Sequence, residues 1–260
     1  MLARENKVKQ RVQEGNTALG FVCRTLSPVV VELIGLSGFD FVWIDMEHTG
    51  ADFATVENLC RAAEATGIET LVRVPDKNPT SILRALEVGA TIVNVPQVEE
   101  PGEAEAVVRA AKYAPLGQRG FCSSSRGLRY GFDGEAQDAF AAANLRTMTM
   151  VQIESARGVE NARKICSVPG LDAIFIGLAD LSQSLGITGQ LEHPDLVDSA
   201  RRVLETGKAA GKITAVLVAT SEDATKWVKE GAQILCCGVD IPAISKALLR
   251  IRGEFESFRS

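Results

Sequence analysis

Short runs of β-branched and other apolar residues alternate along the chain with longer segments whose apolar positions recur every three or four residues. The first pattern suits strands buried on both faces and the second suits amphipathic helices, so the alternation predicts βαβ units on a parallel sheet. Eight strands are expected: TALGFVCR (17–24), FDFVWIDM (39–46), ETLVRVP (69–75), TIVNVP (91–96), RTMTMVQI (146–153), LDAIFIG (171–177), ITAVLVA (213–219) and QILCCGV (233–239). Helical segments such as FATVENLCRAAEATG, PTSILRALEVG and SEDATKWVKEGA lie between them, and several reach a Gly suited to a left-handed C-cap. No Pro/Gly/Ser-rich linker divides the chain. Eight such units predict an α/β protein with one closed (β/α)₈ barrel over 1–260, not an open doubly wound sheet.

Two segments depart from the alternation. GQRGFCSSSRGLRYGFDGEAQ (117–137) gathers Gly, Ser and Arg and is expected to form a long functional loop. The final stretch, about 241–258, has the spacing of an amphipathic helix whose apolar side would pack on the barrel or on a neighbouring subunit.

Composition narrows the function classes. A net charge of -5 with scattered Lys and Arg argues against nucleic acid and anionic membranes as partners. No apolar run approaches the length of a membrane span, and the charged N-terminal stretch MLARENKVKQRVQEGN lacks the apolar core of a signal peptide. Six cysteines at irregular spacing, without a CxxC pair, read as reduced and mostly buried thiols, which points to the cytoplasm. No G-x-G-x-x-G follows the first strand, so dinucleotide binding is not indicated.

In a barrel of this kind the chemistry sits where strands end, so polar residues just after apolar runs are the candidates. The second strand runs into Asp45, Glu47 and His48, the third carries Arg73, the fifth ends in Gln152 and Glu154, and the sixth leads through Ala179 to Asp180. One Glu and one Asp on neighbouring strands offer hard oxygen ligands to a divalent cation such as Mg²⁺ or Mn²⁺. Each residue also has a plainer reading. Glu154 can serve a helix dipole, Asp180 can cap a turn, and Arg73 in an apolar strand needs an ion-pair partner in any case. His193, in HPDLVDSARRV, is expected to precede a helix start.

At these residues the chain resembles the HpcH/HpaI family of metal-dependent (class II) pyruvate aldolases, whose members include 4-hydroxy-2-oxoheptanedioate and 2-dehydro-3-deoxyglucarate aldolases. The likeness is carried in order by FDFVWIDMEHTG (39–50), LVRVPDKNP (71–79), LEVGATIVNVPQVE (86–99), YAPLGQRG (113–120), VQIES (151–155) and IFIGLADLS (174–182). It implies a TIM barrel that binds Mg²⁺, Mn²⁺ or Co²⁺ and cleaves or forms 4-hydroxy-2-oxo acids, to or from pyruvate and an aldehyde, through an enolate held on the metal. His48 matches the family's base, Asp45 its acidic companion, and Arg73 the arginine that stabilises enolate charge. Glu154 and Asp180 match the metal ligands, Gln152 a substrate-contacting amide, and the N–H groups of Ala179 and Asp180 the receptors of the keto-acid carboxylate. Glu87 falls where members carry an Asp that reaches a neighbouring subunit's histidine, and Leu178 replaces the Pro of I-G-P-A-D.

The resemblance further implies a homohexamer or related oligomer with helices exchanged between subunits. No lysine Schiff base is needed, so Lys77 and Lys112 are expected to be solvated surface charges. Two other readings stay open: an acyl-CoA lyase like the citrate-lyase β subunit, for which no basic patch for CoA phosphates is visible, and a keto-acid-binding barrel without turnover.

Overall fold

The structure, a computed structural model, describes residues 5–132 and 136–259; the stretch 133–135 of the expected loop lies outside them. All eight expected strands are present: β1 (Ala18–Cys23), β2 (Phe41–Asp45), β3 (Glu69–Arg73), β4 (Ile92–Val95), β5 (Met148–Ile153), β6 (Ala173–Ile176), β7 (Ile213–Leu217) and β8 (Ile234–Val239). They pair in parallel and in sequence order, and β8 closes onto β1. The helices are α1 (Lys7–Gln13), α2 (Pro28–Leu36), α3 (Phe53–Thr66), α4 (Pro79–Glu87), α5 (Pro101–Ala111), α6 (Ala136–Arg146), α7 (Ala156–Cys166), α8 (Leu178–Ser184), α9 (Pro194–Ala209), α10 (Ser221–Lys229) and α11 (Asp240–Glu254). The barrel is a TIM barrel. None of its helices is long and apolar enough to cross a membrane among the described residues.

Alternation along each strand divides the core in two. Outward residues such as Val42, Ile44, Val72, Val93, Val151 and Ile174 pack under the helices. Inward residues such as Phe41, Trp43, Leu71, Ile92, Met148, Met150 and Phe175 fill the lumen. The N-terminal end of the lumen is plugged by α1, whose Val8 and Val12 join that inner cluster. Asn6 fixes the plug: its Oδ1 accepts from the N–H groups of Val8 and Lys9, and its Nδ2 donates to the carbonyls of Thr91 and Arg146. Lys112 belongs to the same end and corrects the surface expectation. It is 3% exposed, ion-pairs with Asp172 at 3.1 Å and donates to the Thr147 and Asn144 carbonyls. Burial lowers its pKa against the pull of Asp172.

Two surfaces stand apart from this regular packing. The loop after α5 carries a 3₁₀ segment, Arg126–Gly131, and then α6, a helix that the loop expectation did not include. At the C-terminus, α11 forms as expected, but from Ile241 to its end it is exposed, so its apolar side does not pack on its own barrel. The outer face of β1 and β8 is correspondingly thinly covered, with Leu19 37% exposed and Phe21 and Cys237 half-buried.

Gly20 shows how tightly the lumen is filled. A Cβ built there would lie 2.2 Å from the Phe41 ring, on the neighbouring strand at the same level. Gly20→Ala should lower stability by about 1–3 kcal/mol, measured by denaturant unfolding, and trimming the ring with Phe41→Leu in the same chain should recover part of the loss.

Candidate active site

At the C-terminal rim of the barrel, register sets Asp45 of β2 level with Arg73 of β3. Both are buried, Asp45 completely and Arg73 to 4% exposure. Their contact is bidentate: Arg73 Nε donates to Asp45 Oδ1 at 2.8 Å and Nη2 to Oδ2 at 2.6 Å. Arg73 Nη1 lies 2.9 Å from Glu47 Oε2, and its guanidinium stands over the Trp43 ring at 5.1 Å. Burial by itself would raise the Asp45 carboxyl, but the Arg73 bonds outweigh it and hold Asp45 below the usual carboxylate range. Arg73 therefore has its partners, and one N–H remains on each η nitrogen beyond these contacts.

A second guanidinium joins this pair from the end of β1. Arg24 Nε donates to Asp45 Oδ2 at 3.0 Å. His48 follows on the open side of the same cluster, half-exposed, with Nε2 3.7 Å from Glu47 Oε2. The acidic side chain beside the imidazole is thus Glu47, while Asp45 is spent on the two arginines.

Across the mouth, β5 ends in Gln152 and Glu154. Gln152 Nε2 donates to Glu154 Oε2 at 2.7 Å, and Asn94 Nδ2 of β4 donates to Gln152 Oε1 at 2.9 Å. Glu154 Oε1 accepts the Gln97 N–H at 2.7 Å, which Gln97 presents by adopting φ 56°. Gly177 makes room for this carboxylate, since a Cβ there would lie 2.3 Å from Glu154 Oε2. Glu154 is 5% exposed, and burial, together with the charges of Asp180 and Glu47, pushes its pKa up to about 7 despite the Gln97 N–H. Asp180 lies in the first turn of α8, exposed to the mouth. In that turn the first intrahelical bond is made by Leu181 N to the Gly177 carbonyl, so the N–H groups of Leu178, Ala179 and Asp180 have no intrahelical acceptor.

Most residues picked from the sequence therefore meet at one rim: Asp45, His48, Arg73, Gln152, Glu154, Ala179 and Asp180. Glu87 does not. It ends α4, the return helix from β3, and bonds to Arg119 Nη2 at 2.6 Å beside a cavity of about 730 Å³ at the N-terminal ends of β3, β4 and β5. His193 caps α9, as its sequence context indicates. Sequence reasoning missed Arg24, Asn94, Gln97 and the space-making role of Gly177. Arg24 carried a signal, a charge closing the first apolar run, and so did Asn94, a lone amide inside TIVNVP. Gln97 carried none, because its role is a backbone conformation.

Among the described residues no group of three or more His, Cys, Asp or Glu side chains is arranged to hold a metal by itself. The fit to a divalent cation rests on Glu154 and Asp180. Burial raises the proton affinity of Glu154, the Asp180 and Glu47 carboxylates add to it, and the donors offered to a cation are hard oxygens.

A closed parallel barrel with a guanidinium, a histidine and paired carboxylates at its C-terminal rim has the architecture of a barrel enzyme. The family model described as HpcH/HpaI aldolase/citrate lyase matches residues 20–247, and the chain belongs to that family. Among relatives, 5-keto-4-deoxy-D-glucarate aldolase of Escherichia coli is 32% identical over 96% of this chain and 97% of its own. Among solved structures, an HpcH/HpaI aldolase from Desulfitobacterium hafniense superposes with TM-score 0.90 at 28% identity, covering 97% of this chain and 98% of that one. The citrate synthase SbnG superposes with TM-score 0.87 at 32% identity, covering 96% and 97%.

The raised pKa of Glu154 has a consequence for stability. Because the folded value lies near 7 and the ordinary Glu value near 4.5, the folded protein keeps a proton that the unfolded chain releases between them. Stability therefore falls as pH rises through that window, and the full cost stands above it. In the presence of chelator, Glu154→Gln should raise stability at pH 8 by on the order of 1–3 kcal/mol. Calorimetry at pH 8 and pH 5 should show that gain shrinking toward the acid end.

Proposed function

We propose that this chain is a divalent-metal-dependent aldolase that cleaves or forms 4-hydroxy-2-oxo acids, exchanging them with pyruvate and an aldehyde. The observation that carries the reading is the division of one rim into two halves. Glu154 and Asp180 concentrate negative charge on the β5 and β6 side, while Arg73 and His48 stand on the β2 and β3 side. Glu154 and Asp180 would hold a hard cation such as Mg²⁺, Mn²⁺ or Co²⁺, which supplies Lewis-acid polarisation to a 2-keto acid.

The chain's own groups do the rest. The N–H groups at the start of α8 receive the keto-acid carboxylate, and Gln152, held by Asn94, orients the substrate beside Glu154. His48 takes the proton from the C4 hydroxyl in cleavage, and the C3–C4 bond breaks to release the aldehyde. Arg73, fixed by Asp45, directs its remaining N–H groups at the enolate oxygen, where negative charge develops. Protonation at carbon gives pyruvate, and condensation runs the same steps in reverse. Glu47 places a carboxylate oxygen 3.7 Å from His48 Nε2.

A citrate-forming condensation, the activity in the name of SbnG, likewise adds an enolate to a carbonyl. It is kept as a second reading because that likeness, at 32%, equals the likeness to the aldolase. For assembly, the exposed Ile241, Leu248, Leu249 and Ile251 of α11 and the thinly covered β1–β8 face support exchange of this helix between copies of the chain.

Pyruvate release from a panel of 4-hydroxy-2-oxo acids should vanish with chelator and return with Mg²⁺, Mn²⁺ or Co²⁺; absence of release under every condition, with citrate formed instead, would favour the second reading. His48→Ala should lower kcat by at least about 100-fold while metal affinity, read by calorimetry, stays unchanged. Deleting residues 241–260 should convert the oligomer to monomers in sedimentation velocity.

A further inference from the structure

Arg24 has no part in the aldol steps, yet its position is specified in unusual detail. The backbone that carries it is pinned by Asp240, a 2% exposed carboxylate at the junction of β8 and α11. Asp240 Oδ1 accepts the Arg24 N–H at 2.9 Å, and Oδ2 accepts the Thr25 N–H at 2.9 Å and the Thr25 hydroxyl at 2.6 Å. The side chain then reaches inward, and its Nε bonds Asp45. Among the described residues Asp45 is the sole partner of the side chain, so both η nitrogens, on a side chain 35% exposed, are left without an acceptor. Arg73 differs, since Asp45 and Glu47 engage its Nε and both η nitrogens.

Resting on the aldolase reading, we infer that Arg24 binds a carboxylate at the far end of the substrate, so that the preferred aldehyde is one that carries an acid group. Topology supports the placement. In a closed ring of eight strands β1 lies opposite β5, so a chain anchored beside Glu154 and passing His48 after β2 next reaches the end of β1. Chemistry supports the ligand. The Nη1–Nη2 edge of a guanidinium is a planar pair of donors that matches a carboxylate's two oxygens. A phosphate dianion fits less well, because Arg24 is a single cation already shared with Asp45. The bond to Asp45 through Nε fixes the plane of that edge before substrate arrives, which reduces the ordering cost of binding.

The test compares aldol condensation of pyruvate with carboxylated aldehydes (glyoxylate, succinic semialdehyde), neutral ones (glycolaldehyde, propanal) and glyceraldehyde 3-phosphate, for the wild type, Arg24→Gln and Arg24→Lys. Deuterium exchange into the pyruvate methyl group, followed by NMR, reads the enolate step without any aldehyde. The wild type should prefer the carboxylated acceptors. Arg24→Gln should lower the ratio of kcat/KM for carboxylated over neutral aldehydes by on the order of 30-fold, mainly through KM, while pyruvate exchange persists; Arg24→Lys should restore part of the ratio. Equal losses for all aldehydes would show that Arg24 only supports Asp45 and would overturn the inference, as would a wild-type preference for neutral or phosphorylated acceptors. Absence of pyruvate exchange in the wild type would instead overturn the enolate reading and the inference with it.

Discussion

An arginine enclosed at the top of a barrel lumen must find its counter-charge there, because the cost of burying an unmatched guanidinium exceeds what the surrounding packing returns. The β2–β3 register meets this demand by setting Asp45 level with Arg73, and the planar fork of one fits the two oxygens of the other. The rest of the rim is organised around that pair. Glu47 takes a further side of Arg73 and comes to lie beside His48, while Arg24 takes the free side of Asp45. Removing Asp45 would leave Arg24 without its carboxylate partner and Arg73 with Glu47 alone, so the importance of Asp45 lies in fixing these donors, not in touching substrate itself.

The rim is electrically asymmetric as a result. On the β1 to β3 side two carboxylates meet two guanidiniums, and the local charge is balanced. On the β5 and β6 side Glu154 has two hydrogen-bond donors, but neither it nor Asp180 has an ion-pair partner among the described residues, and Glu154 resists ionisation up to about pH 7. A carboxylate such as Glu154, held at the edge of protonation, is poised to exchange a proton for a metal ion. The amide chain next to it can follow that exchange. With Glu154 ionised, Asn94 donates to Gln152 and Gln152 to Glu154, and Asn94 Oδ1 is left buried without a partner among the described residues. If Glu154 carries the proton, flipping both amides reverses every donor, and Asn94 Oδ1 gains the N–H it lacks.

Much of this was legible in the chain. All eight strands follow from apolar runs, because a strand buried on both faces leaves a continuous signature, and the rule that chemistry follows strand ends finds His48, Arg73, Glu154 and Asp180. The same rule, applied to the first run, would have selected Arg24. What the sequence hides is partner choice. Asp45 reads as a companion of His48 because the two are near in sequence, yet β-strand register offers Asp45 to the neighbouring strand, where Arg73 waits. Lys112 reads as a surface charge once no Schiff-base lysine is needed, and only the folded chain shows Asp172 and two carbonyls enclosing it. Gln97 and Gly177 act through a left-handed backbone and a missing Cβ, neither of which a residue pattern encodes.

Asp240 links the site to the surface that the barrel leaves uncovered. The carboxylate that pins Arg24 and Thr25 is also the first residue of α11, where its Oδ1 accepts the Ile241 N–H at 2.8 Å. The direction in which α11 leaves the barrel is therefore set by the same buried group that sets the position of Arg24. A helix whose apolar residues find no cover on their own chain gains stability when another apolar surface covers them. The guanidinium at the far end of the mouth and the exposed helix are in this sense two ends of one junction.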